Sequence, residues 1–239
     1  MIIYAHRGFS GFYPENTMIS FQKAYDVGVS ALELDVQMTK DEEIVVIHDE
    51  RVDRTTNGIG YVRDFSLNEL KKLDAGSWFN PLFEGESVPT LKEVLKWLSR
   101  VERKMTVNIE IKNNGFAPQK IETKILDIVN SFDIIHQLVF SSFSLDSLNN
   151  LRELDRNLSL ALLIEWNNNY SVEDIVYLAR DMGVKYVHID VNVLKYEELD
   201  VLSNNTNVCV YTVNDKKIYE MAKSKGVYGV FTDFPNKIV

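Results

Sequence analysis

Eight short apolar runs alternate along this chain with stretches of helical periodicity, and that alternation narrows the possible folds more than any other feature. The runs cover residues 2–5, 31–37, 106–111, 137–141, 158–164, 185–190, 207–213 and 228–232. Helical patterns lie between them, near 17–28, 90–101, 118–131, 145–155, 171–182, 195–203 and 215–225. A strand that returns through a helix pairs in parallel with its predecessor, so repeated βα units build a parallel sheet. Eight such units predict an α/β chain closed into a TIM-type (β/α)8 barrel. Ser66 with Glu69, and Thr90 with Glu93, have the spacing of capping boxes, in which a hydroxyl and a carboxylate satisfy free N–H groups at a helix start. Two departures from a regular barrel are visible. Residues 50–88, rich in Gly and Asp, contain no βα unit and fall between the second and third barrel strands. A segment this long without regular structure is usually functional, and we read it as a small insertion. After Pro235 only four residues remain, too few for an eighth helix.

At 239 residues the chain fits one barrel domain over 1–239, since α/β barrels of ~200–250 residues commonly form a single unit. With 26 Lys+Arg against 35 Asp+Glu, the net charge of -9 argues against a general nucleic-acid binder or a protein drawn to anionic membranes. Any phosphate must then be captured by a local cationic site. No run approaches the ~20 apolar residues of a membrane span, and no secretory signal is visible, so a cytoplasmic location is expected. The single cysteine, Cys209, sits in the apolar run Val208-Cys209-Val210 and is expected to be an inert buried thiol.

The chemistry-bearing residues gather at strand ends in the first half. His6-Arg7-Gly8 follows the run Ile2-Ile3-Tyr4-Ala5, and His48-Asp49 follows Ile44-Val45-Val46-Ile47. Strand side chains alternate, so Glu33, Asp35 and Gln37 share one face of their strand while Leu32, Leu34 and Val36 take the other. On the next barrel strand Asn108, Glu110 and Lys112 form the polar face. Like charges in one small space are costly unless a cation neutralises them or one of them holds a proton. An all-oxygen cluster of Glu33, Asp35 and Glu110 suits a hard divalent metal, Mg²⁺ or Ca²⁺, rather than zinc. Of the other histidines, His136 is expected on the surface and His188 as a hydrogen-bonded core residue.

In order along the chain, His6-Arg7-Gly8, Pro14-Glu15-Asn16-Thr17, Glu33-Leu34-Asp35-Val36-Gln37, His48-Asp49, Arg54-Thr55-Thr56-Asn57-Gly58 and Asn108-Ile109-Glu110-Ile111-Lys112 resemble the glycerophosphodiester phosphodiesterases. Leu73–Phe79, Val88-Pro89-Thr90-Leu91, Tyr211-Thr212-Val213-Asn214 and Phe231–Pro235 extend the resemblance over nearly the whole chain. It implies hydrolysis of small glycerophosphodiesters, deacylated phospholipids of lipid and glycerol metabolism, to glycerol 3-phosphate and an alcohol. It also implies that the insertion caps the active site. Tyr211 stands where the family usually has Trp, keeping an aromatic wall of the substrate pocket; Tyr228 stands where Asp is common; and Asp41-Glu42-Glu43 lacks the usual turn Gly. These departures bear on the preferred alcohol and leave the reaction in place.

Phosphodiester cleavage sets the division of labour. A divalent cation held by Glu33, Asp35 and Glu110 can stabilise charge on a phosphoryl oxygen, and Arg7 and Lys112 can bind the remaining oxygens. His6 and His48 can share the general acid and base roles, with His48 taken as the acid for working purposes. Direct attack by water and attack through a cyclic phosphate are equally compatible with the sequence. A monomer or a homo-oligomer would serve, with no nucleic-acid partner and no integral membrane association. Competing readings are a phosphodiesterase acting on lysophospholipids or phosphoinositides, a glycoside hydrolase built on paired carboxylates, and a binding module that has lost catalysis.

Overall fold

The computed structural model describes residues 1–113, 120–166 and 170–238. Eight parallel strands close into a barrel: β1 (Ile2–Ala5), β2 (Ala31–Met38), β4 (Thr106–Ile111), β5 (Gln137–Ser142), β6 (Leu160–Ile164), β7 (Tyr186–Asp190), β8 (Asn207–Tyr211) and β9 (Gly229–Thr232). Closure is made by β1, which pairs with β9 (Ile2 opposite Gly229) on one side and with β2 (Tyr4 opposite Ala31) on the other. A ninth strand, β3 (Ile44–Val46), lies antiparallel on the outer half of β2, with Val36 opposite Val46. Helices α1 (Met18–Asp26), α3 (Leu91–Leu98), α4 (Ile121–Asn130), α5 (Leu145–Leu154), α6 (Val172–Asp181), α7 (Leu199–Asn205) and α8 (Lys216–Ser224) pack around the sheet. The helical pattern near 118–131 begins outside the described residues, and that near 195–203 divides into a 3-10 turn (Val191–Lys195) and α7. Among the described residues, β9 is followed only by the 3-10 turn Pro235–Lys237.

The strand period determines which side chains meet. Leu32, Leu34 and Val36 of β2, with Val107, Ile109 and Ile111 of β4, point outward into the large core shared with the helices. Their neighbours point into the barrel, where Tyr4, Ala31, Cys209 and Phe231 form one apolar cluster and Val139, Ala161 and Tyr186 another. Cys209 is fully buried, and desolvation pushes its thiol well above the usual range, which favours the inert form.

Residues 50–88 contain a helical turn, α2 (Leu67–Leu70), and 3-10 turns at Val62–Asp64 and Pro81–Phe83. They enclose a small core of their own, with Val52, Val62, Leu70, Ala75 and Val88 packed on Val45 and Ile47. The run Ile44–Ile47 is apolar throughout because β3 separates two cores: Ile44 and Val46 face the main core, and Val45 and Ile47 face the insertion. Both capping boxes form, Ser66 with Glu69 at α2 and Thr90 with Glu93 at α3. Glu42, in the turn that lacks its glycine, adopts φ 63°, the left-handed conformation that glycine takes without strain. No described helix is long and apolar enough to cross a membrane.

Candidate active site

The turn after β1 is built around a left-handed pair, Arg7 (φ 55°) and Gly8 (φ 82°). A left-handed arginine is strained, by ~1–2 kcal/mol, and persists where its surroundings over-determine it. Here the Arg7 N–H donates to Glu33 Oε2 (2.8 Å), and its carbonyl accepts from Ser20 Oγ (2.8 Å) and from the Asn16 N–H (3.0 Å). A Cβ on Gly8 would lie 2.0 Å from Ser20 Oγ, so this close turn requires glycine on two counts. The strain delivers His6 and Arg7 side by side to the C-terminal mouth of the barrel.

One cavity of about 640 Å³ opens at that mouth, lined by His6, Arg7, Glu33, His48, Glu110, Lys112 and Tyr211 among others. Asp35 lies behind them, 3.4 Å from Arg7 Nε and 3.7 Å from Lys112 Nζ. All eight residues singled out from the sequence therefore meet in one place. Barrel register accounts for it: Glu33 is opposite Asn108 and Asp35 opposite Glu110 on adjacent strands.

Glu33, Asp35 and Glu110 are buried, and one carboxylate oxygen from each lies within 4.8 Å of the other two. Desolvation, reinforced by the mutual repulsion of the three, raises Glu33 well above the ordinary carboxylate range and raises Glu110 as well. Asp35 resists its own burial and sits at about 2, because Arg7 and Lys112 hold its charge. Glu33 Oε1 is buried without a hydrogen-bond partner among the described residues. An orphaned carboxylate oxygen beside two further carboxylates is what a hard cation would satisfy, so the residues fit a divalent metal.

The two histidines expected to move protons, His6 and His48, are each held by a carboxylate. His6 Nδ1 donates to Asp233 Oδ1 (2.7 Å). Asp233 also accepts from Asn214 Nδ2 (2.6 Å) and Ser10 Oγ (3.1 Å), and these bonds, with the one from His6, keep it ionised against its burial. His48 Nδ1 donates to Asp49 Oδ1 (2.6 Å), a bond that, with Arg54, lowers Asp49 far below its usual range. Lys112 Nζ lies 3.1 Å from His48 Nε2 and 2.6 Å from Glu110 Oε1. An ammonium only donates, so His48 Nε2 accepts and Nδ1 carries the proton. Burial works against the Lys112 charge, but Glu110 and Asp35 outweigh it and raise its pKa. Both imidazoles thus present Nε2 for proton transfer, with Nδ1–H tied back to an aspartate. Tyr211 forms part of the wall, its hydroxyl donating to the Ile164 carbonyl (2.9 Å) and its ring meeting Phe143 edge-on.

Two expectations fail. His136 is buried, not on the surface: Nδ1 accepts from the Met105 N–H (3.2 Å) and Nε2 donates to the Leu98 carbonyl (2.8 Å), joining the end of α3 to the start of β4. Its position between a helix and a strand reads as a loop in sequence, and only the fold brings two backbone groups to it. His188 is in the core, as expected, but neither ring nitrogen has a protein partner among the described residues; it packs on Phe231 and Tyr4, and desolvation lowers its pKa to about 3. Asp49, Arg54, Glu15, Asn16, Asn214 and Asp233 all lie within the sequence motifs, yet the sequence alone gives none of them a role. The one local signal is Asp49 beside His48, because the other partners are distant along the chain.

Residues 6–237 match the profile described as the glycerophosphoryl diester phosphodiesterase family. The Bacillus subtilis (strain 168) protein YhdW is 39% identical over 241 residues, covering 100% of this chain and 97% of that protein. The glycerophosphodiester phosphodiesterase of Caldanaerobacter subterraneus subsp. tengcongensis is 36% identical over 239 residues, covering 100% of this chain and 96% of its own. Among solved structures, a phosphodiesterase of Oleispira antarctica in complex with the product sn-glycerol-3-phosphate is similar with a TM-score of 0.90 at 27% identity, over 100% of this chain and 95% of that one.

Proposed function

Because the chain belongs to the glycerophosphoryl diester phosphodiesterase family, we propose that it hydrolyses glycerophosphodiesters to glycerol 3-phosphate and an alcohol. The observation that carries this reading is the convergence of three buried carboxylates, two aspartate-anchored histidines and two cations on a single cavity. Glu33, Asp35 and Glu110 would hold Mg²⁺ or Ca²⁺, which when bound supplies a positive charge for a phosphoryl oxygen. Arg7 and Lys112 bind the other oxygens and oppose the charge that grows on them. Lys112 also lies against His48 Nε2, while Asp233 and Asp49 fix the His6 and His48 rings and stabilise each one when it takes up a proton. One imidazole withdraws a proton from the attacking hydroxyl and the other returns one to the departing alkoxide. Phe143 and Tyr211 form an aromatic part of the cavity wall.

Residues 50–88 are read as a cap on one side of this cavity. Arg54 reaches Glu15 from the insertion, and Phe83 meets Tyr13 at 5.6 Å between ring centres. We take the chain as one barrel domain that works in the cytoplasm on a diffusible substrate. The exposed Trp78 and Leu82 on the insertion, 38% and 88% accessible, favour lysophospholipids as the second substrate class to assay.

The test is a panel of glycerophosphocholine, glycerophosphoethanolamine and lysophospholipids with metal-stripped protein, then with Mg²⁺ or Ca²⁺ restored, read by a coupled glycerol 3-phosphate assay for the glycerophosphodiesters and by release of the head-group alcohol for the lysophospholipids. Metal-dependent release of glycerol 3-phosphate is expected. Release of phosphocholine, or undiminished turnover in stripped protein, would refute the reading.

A further inference from the structure

His48 is oriented by a residue that lies outside the barrel. Arg54, in the insertion, donates from Nε and Nη2 to Asp49 Oδ2 and Oδ1 (2.6 and 2.9 Å) and from Nη1 and Nη2 to Glu15 Oε2 and Oε1 (2.7 and 2.9 Å). One planar guanidinium therefore grips two carboxylates with two parallel forks, a geometry that lysine cannot reproduce. Each carboxylate is in turn bonded to a residue of the cavity. Asp49 Oδ1 accepts from His48 Nδ1 (2.6 Å), and Glu15 Oε1 accepts from Arg7 Nη1 (2.8 Å).

The bland account is a surface ion pair. With its side chain 43% exposed, Arg54 contributes little to stability on that ground. Geometry is a different matter. Asp49 is 29% exposed and, left alone, could turn towards water and release the His48 ring. Arg54 engages both oxygens at once, which leaves Asp49 one orientation, with Oδ1 on Nδ1. Glu15, only 12% exposed and held by Arg7, gives Arg54 a fixed point to lean on.

We propose that Arg54 is a positioning residue for the reaction: by clamping Asp49 against Glu15 it fixes the His48 imidazole with Nε2 towards Lys112 and the cavity. Docking of the insertion and assembly of the acid–base pair are then one event, since the arginine that orients His48 arrives with residues 50–88. This inference rests on the functional reading given above.

A double-mutant cycle separates it from a structural role. Arg54→Ala should lower kcat on a glycerophosphodiester by about 10- to 100-fold, the range for a residue that orients a functional group, with little change in KM or in the melting shift produced by Mg²⁺. On a His48→Ala background, which has nothing left to orient, the same substitution should cost no more than about 3-fold. Arg54→Lys should stay impaired, because one ammonium cannot hold both forks. Guanidinium at non-denaturing concentration should partly restore Arg54→Ala and leave the double variant unchanged. Arg51→Ala is the control: Arg51 is also in the insertion but its side chain pairs, among the described residues, with Asp53 and Tyr61, so its loss should leave kcat intact. If Arg54→Ala does not fold, Arg54→Lys carries the same cycle. Losses that multiply fully on the His48→Ala background, or an unchanged kcat in Arg54→Ala, overturn the proposal. Inactivity of the wild-type protein on every glycerophosphodiester removes the functional reading itself, which an active wild type with multiplicative losses leaves standing.

Discussion

Replacing Glu33 by glutamine should make the cation-free protein more stable and deprive it of its response to metal. The introduced amide keeps the shape of the side chain, and its carbonyl can still accept the Arg7 N–H that Glu33 Oε2 accepts at 2.8 Å. Its NH₂ group can donate to a neighbouring carboxylate, where Glu33 Oε1 is now an orphan. Two unit charges 4.8 Å apart repel by about 3 kcal/mol at an effective dielectric constant of ~20. Partial protonation already relieves some of this, so we expect a gain of ~1–3 kcal/mol, which for a chain of this size is at least ~2 °C in Tm. Wild-type protein with Mg²⁺ or Ca²⁺ at about 100 Kd should gain ~2.7 kcal/mol, or ~5–11 °C. Glu33→Gln should show little of that shift. Differential scanning calorimetry of both proteins with chelator and then with each cation measures all six states. A wild-type Tm indifferent to both cations, or a variant that retains the full shift, would refute the assignment of the triad as a metal site.

His6→Ala and His48→Ala should each lower kcat by ~10²- to 10⁴-fold with non-additive losses; a nitrophenyl ester, whose leaving group needs little protonation, should rescue only the variant lacking the acid, and near-wild-type kcat in either would remove that histidine from the mechanism. Cation-free stability should peak at mildly acidic pH. What Glu33 and Glu110 contribute, raised by burial and repulsion, is present below the ordinary carboxylate range and lost as pH rises through their raised values. What Asp35, held at about 2, and the lowered Asp49 and Asp233 contribute is present above that range and lost as pH falls through their values; a Tm that rises steadily to neutral pH in chelator would contradict this. Glu42→Gly should raise Tm by ~2–4 °C by relieving the left-handed φ of 63°, since the exposed Glu42–Lys124 pair that it sacrifices contributes little; an unchanged Tm would show that the turn is not strained.

What the sequence disclosed about this site depended on how far apart the cooperating atoms lie along the chain. Glu33 with Asp35, and Asn108 with Glu110, are legible because a strand repeats every two residues, so composition and period together place them on one face. The barrel follows from the same rule applied to eight runs, and the strand ends differ by only a few residues where pairing, not hydropathy, decides the last rung. The groups that orient the chemistry escape local rules. Asp233 reaches His6 across 227 residues, and Arg54 reaches Glu15 across 39. Histidine exposes the limit most clearly. His136 precedes one apolar strand and His188 lies within another, yet one closes two backbone hydrogen bonds and the other has both nitrogens free of protein partners among the described residues. An imidazole is equally at home as a cap on loose backbone or as a flat apolar filler, and only its neighbours in space select between these. The same holds for His6 and His48, where the aspartate behind each ring, rather than the histidine itself, distinguishes a group poised to move a proton from one that merely packs.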